Sequence, residues 1–79
     1  MHRYFFDIVD HNGLTSDTEG MEFPTMNEAV AEARRALGGM VKDALSNGNT
    51  LPIEIRIRDG DEGPIFLTVS MTTEDGSPG

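Results

Sequence analysis

Between Thr25 and Ser46 apolar side chains return every three or four residues. At about 100° per residue, Met26, Val30, Ala33, Leu37, Met40, Val41 and Ala44 fall on one stripe, with Ala29 and Ala36 along one edge and Leu45 along the other. Glu28, Glu32, Arg35, Lys42 and Asp43 fall opposite, so the pattern predicts an amphipathic helix with one face in water. Thr25 begins it as an N-cap, with Glu28 placed for a capping box, and Asn47-Gly48 ends it because glycine enters the left-handed region at little steric cost. Gly38 and Gly39 interrupt the polar side. They read either as a weak spot in the helix or as a place where another backbone comes close.

On either side of this helix the period changes from 3.6 to 2. In Arg3 to Asp10, Tyr4, Phe6 and Ile8 alternate with Phe5, Asp7 and Val9; both faces carry apolar residues, which predicts a central strand. The polar, glycine-punctuated stretch Asn12 to Gly20 reads as a loop. Met21-Glu22-Phe23 then reads as a short strand hairpinned to the first, closed by Pro24, which keeps Phe23 out of the helical region. After the helix, Ile53, Ile55 and Ile57 alternate with Glu54, Arg56 and Arg58, and the charged side suits an edge strand. Gly60 to Pro64 is a turn, and Ile65 to Thr72 completes a β-hairpin with Ile65, Leu67, Val69 and Met71 facing inward.

The predicted fold is α+β with the order β-β-α-β-β, a two-layer sandwich of one long helix on a small, mainly antiparallel sheet. One domain spans residues 1–72, and the polar residues 73–79 are expected to be a disordered tail. A chain of 79 residues buries only about 60% of its unfolded surface, and it has no cysteine to staple it, so oligomerisation is the remaining source of extra stability.

Charge narrows the choice of partner. Fourteen acids against six bases give a net charge of −8 and a pI near 4.4, which repels nucleic acid and anionic membranes. The opening residues lack the apolar run of a signal peptide, and no stretch has the length of a membrane span, so the expected location is the cytoplasm.

A single helix covers one face of a sheet. The other face is expected to carry Phe5, Asp7 and Val9, then Glu54, Arg56 and Arg58, then Phe66, Thr68 and Ser70. Phenylalanine and arginine are types enriched at the centres of interfaces, which makes Phe5, Arg56, Arg58 and Phe66 the candidate interface. The alternative is a plain solvated surface on which Arg56 pairs with Glu54 or Asp7. A base-stacking platform for single-stranded RNA would use the same residue types but conflicts with the acidic charge.

No catalytic constellation stands out, and an enzyme is not expected. Asp59, Asp61 and Glu62 resemble part of a calcium loop but lack its offsets, and Asp10-His11-Asn12 with Asp17 and Glu19 offers hard-metal ligands without fixed spacing. No cofactor is expected.

Arg3-Tyr4-Phe5-Phe6-Asp7, followed by Asp17, Glu19-Gly20, Glu28-Ala29, Glu32-Ala33, Ala36-Leu37 and Ile55-Arg56-Ile57-Arg58-Asp59, resembles a family of short alphaproteobacterial proteins known only as a domain of unknown function. The likeness covers about residues 3–72 and implies a free-standing bacterial cytosolic domain with no activity attached. The expected function is a non-enzymatic, homodimeric binding or regulatory module using the open sheet face. The alternative is an antitoxin-like or inhibitor protein whose acidic surface holds a basic protein partner.

Overall fold

The computed structural model describes residues 1–59 and 64–76. In chain order they form β1 (His2–Asp10), β2 (Gly13–Thr15), β3 (Met21–Phe23), α1 (Met26–Asn47), β4 (Ile53–Arg58) and β5 (Ile65–Val69). The order is β-β-β-α-β-β, and one helix packs on an antiparallel sheet in which β1 lies beside β4 and β4 beside β5. The far edge of β1 is shared. β2 pairs with its C-terminal end, Asp10 opposite Gly13, and β3 with its N-terminal end, His2 opposite Phe23.

Two expectations are corrected here. Gly13–Thr15, read as loop, is a strand: the Asn12 N–H donates to Asp10 Oδ1 at 2.8 Å, Gly13 takes φ +103°, and the chain turns back onto β1 after two residues. β4, assigned to an edge for its charged face, lies inside the sheet with β5 at the edge. Its charges are tolerated because each arginine is paired across or along the open face instead of shielding a free backbone. The central position of β1 and the antiparallel pairing of Met21–Phe23 agree with the sequence.

α1 begins where Thr25, in an extended conformation, accepts the Glu28 N–H at 3.3 Å, and ends where Gly48 turns left-handed at φ 72°. Asn49 N–H then closes on the Ala44 carbonyl at 2.8 Å. Tyr4, Ile53, Ile55 and Ile57 from the sheet meet Ala29, Ala33, Leu37 and Ala44 from the helix in one buried core. Ala29 therefore sits at the centre of the contact, not its edge, while Ala36 is exposed. Small residues on the helix let it lie close over the isoleucine row, and each buried isoleucine contributes about 1.5–3 kcal/mol. Phe23 completes this layer with its ring 6.1 Å from Phe6 and 6.3 Å from Tyr4.

The β5 side of the core is thinner than the alternation implies. β5 ends at Val69, Ile65 is only partly covered, and Met71, expected inside, is exposed. Past Val69 the chain has left its ladder with β4, so alternation no longer decides which way a side chain points. Residues 70–76 are exposed and have no regular secondary structure. The turn expected at Gly60 to Pro64 and the end of the expected tail lie partly outside the described residues, as do Asp61 and Glu62 of the acidic cluster.

Candidate interface on the open sheet face

β1 is interrupted on its far side between β2 and β3, where residues 16–20 cross the gap. Phe6 faces this gap, and its N–H donates not to a strand but to Asp17 Oδ2 at 3.1 Å. The other oxygen, Oδ1, accepts the N–H groups of Glu19 and Gly20, each at 3.0 Å. One carboxylate thus replaces the missing stretch of strand and folds the loop around itself. Gly20 is needed beside it: at φ +74° its backbone is left-handed, and a Cβ there would stand 3.0 Å from the Tyr4 carbonyl oxygen and 2.9 Å from Arg3 Cγ.

The same loop is tied to the open face. Asp17 N–H donates to Asp7 Oδ1 at 2.9 Å, Arg58 Nε donates to Asp7 Oδ2 at 2.8 Å, and Arg58 Nη2 donates to the Asp17 carbonyl at 3.0 Å. Arg3 Nη1 holds the Glu19 carbonyl at 2.7 Å. Arg58 also lies over the Phe5 ring, 4.7 Å from its centroid, because Phe5 is its cross-strand partner. One residue pair further along, Arg56 stacks over Phe66 at 5.7 Å and bonds Glu54 at 2.7 Å, while Thr68 donates to the other Glu54 oxygen at 3.3 Å.

All four residues of the candidate interface are therefore on one face, joined as Phe5–Arg58 and Arg56–Phe66. Both arginines are already held by acids of their own chain, as the plain-surface alternative anticipated for Arg56 with Glu54. The sequence reading places Asp7 on the open face as a partner for Arg56 and Asp17 among loop residues of hard-metal type; in the structure Asp7 takes Arg58 and Asp17 takes backbone N–H groups. The signal available was an acid at the middle of an otherwise apolar strand, which needs a buried partner.

The Arg58 guanidinium hydrogen-bonded to Asp7 holds its carboxyl below the usual carboxylate range, against burial, with the Asp17 N–H helping. For Asp17 the Gly20 N–H is the largest cause of a lowered value, burial opposes it, and the Phe6 and Glu19 N–H groups add to it. A carboxyl whose pKa is depressed on folding stabilises the fold above its unfolded value near pH 4 and loses that contribution as pH falls through the folded value. Thermal melts from about pH 7 to about pH 3 should therefore show a steep loss on the acid side, and Asp7→Asn, less stable at neutral pH, should show a shallower one. Equal acid slopes in the two proteins would remove Asp7 as a contributor.

Of the metal-ligand sets, Asp17 spends both oxygens on backbone amides, and among the described residues no three side chains of ligand type gather. No helix of the described chain is long and apolar enough to cross a membrane. Comparison with curated proteins and with solved structures finds no match. A family model does match, over residues 3–72, and by it the chain belongs to the DUF6894 family, a domain of unknown function.

Proposed function

We propose that this protein is a non-enzymatic binding or regulatory module that acts as a homodimer, with the open sheet face around Phe5, Arg56, Arg58 and Phe66 as its contact surface. The observation that carries this reading is the charge balance of that face. On it Arg3 pairs with Glu22, Arg58 with Asp7 and Arg56 with Glu54, so these six charges cancel while the rest of the molecule carries the net −8. Two such copies repel least where the field is neutral, and a face bearing both signs is complementary to itself across a two-fold axis. Phe66, 56% exposed, supplies an aromatic anchor at its rim.

Light scattering across a tenfold or larger dilution should return twice the chain mass. Phe66→Glu should return a folded monomer with an unchanged circular dichroism spectrum. A wild-type monomer would overturn the homodimer, and the acidic surface would then favour the basic-partner alternative. An unchanged Phe66→Glu dimer would overturn the choice of surface.

A further inference from the structure

β5 is an edge strand without the devices that protect edges. Nothing pairs with its outer side among the described residues, and from Pro64 to Thr73 the chain carries no charge. A free row of N–H and C=O groups on a strand that carries no lysine, arginine or acid of its own is a template for another strand. Behind it runs a groove of about 360 Å³, lined by Arg34, Leu37, Gly38, Leu67, Thr68 and Val69. A Cβ built on Gly38 would meet nothing within 4 Å, so the helix leaves that side open.

We infer that a second copy of this chain seats at this edge, β5 against β5 in antiparallel pairing, so that the two sheets become one. The inference rests on the homodimer reading and moves its seam from the middle of the open face to the β5 margin, where Phe66 projects, leaving Phe5 and Arg58 outside the contact. Charge selects the occupant. A charged segment laid on this edge would bring its charge against a strand with no opposite charge of its own, whereas a second β5, uncharged like the first, brings none.

Symmetry then dictates the geometry. Two identical antiparallel neighbours in one sheet are related by a two-fold axis perpendicular to it, so both helices lie on the same side and side chains keep their faces. The two α1–β5 grooves adjoin the seam, and the Phe66 residues approach one another over the open face. Phe5 and Arg58, further from the seam, remain on a face now doubled in width.

One residue of β5 must sit on the axis opposite its own copy, at a Cα separation of about 4.5–5.5 Å, which a disulfide spans. The chain has no cysteine, so single variants give a clean readout. Cysteine is placed in turn at Ile65, Phe66, Leu67, Thr68 and Val69, with Val9→Cys on β1 as the face-to-face control, and each full-length protein is oxidised mildly. Near-complete conversion to covalent dimer is expected at the axis position and none at Val9→Cys. In the unmodified protein, hydrogen exchange should show every amide of residues 66–69 protected, and dilution to monomer should release the outward-facing ones. A dimer by mass that cross-links at Val9→Cys, or nowhere in residues 65–69, with alternate β5 amides exchanging freely, overturns the edge seating and leaves the homodimer standing. A monomer by mass overturns both.

Discussion

Asp17→Ala should lower the stability of the fold by about 3 kcal/mol, the largest loss expected from any residue outside the apolar core. Three backbone N–H groups, those of Phe6, Glu19 and Gly20, lose their acceptor together. Phe6 lies in the central strand, where its N–H has no strand opposite and is only partly reached by water. Hydrogen bonds to a charged acceptor contribute about 1.5–3 kcal/mol each, and water entering the loop recovers part of the sum. For a domain of this size such a loss corresponds to a fall in melting temperature of about 15 °C. Asp17→Asn keeps one carbonyl oxygen and should fall in between. Urea unfolding followed by circular dichroism measures both, and a loss below about 1 kcal/mol for Asp17→Ala would show that the loop does not need its carboxylate.

The helix and the three longer strands were legible because their periodicity comes from a physical asymmetry that every residue reports: one side in the core, the other in water. Thr25 and Gly48 were legible for a related reason, since a helix end leaves backbone groups that few residue types satisfy. Gly13–Thr15 was not legible. With only Leu14 as a large apolar residue and every side chain exposed, it has no burial pattern, and it is a strand only because the Asn12-Gly13 turn lays it on β1. The position of β4 was misread because a charged alternating strand looks the same at an edge as beside partners that neutralise it. Arg58 is 51 residues from Asp7 in the chain, and that pairing exists only once β1 and β4 are neighbours. The four candidate interface residues could be placed on one face by parity alone. That they form two stacked pairs depends on register, Phe5 opposite Arg58 and Arg56 opposite Phe66, which no local pattern encodes.

Register also links the core to the open face. Ile57 stands between Phe6 on β1 and Ile65 on β5, with Arg56 and Arg58 on either side of it pointing to the opposite surface. A shift of β4 by one residue would bury two arginines and expose three isoleucines, so the isoleucine row locks the arginines over their phenylalanines. The rigidity of the candidate interface is thus a consequence of the packing beneath it.

Ile57→Ala is accordingly expected to have the greatest effect of any single truncation in the chain. Ile57 is fully buried at 0% exposure, and truncation to alanine at such a site costs about 2–5 kcal/mol, the upper part where the surroundings cannot close in. Here they cannot close in easily: the helix already meets the sheet through Ala29 and Ala33, at 0% and 1% exposure, so its backbone has little further distance to travel. The whole stability expected of 79 residues is only about 4–12 kcal/mol, so the variant should be partly unfolded at 37 °C. Ile57→Val removes one methylene and should cost about 1 kcal/mol, leaving a folded protein. Denaturant titration of the pair separates two pictures of the core. A ratio of three or more between the two losses means a rigid seat in which the cavity persists; nearly equal losses would mean that the helix settles onto the sheet. In that second case the arginine–phenylalanine stacks on the far face would loosen as β4 moved, and Ile57→Ala would weaken self-association of the molecules that remain folded.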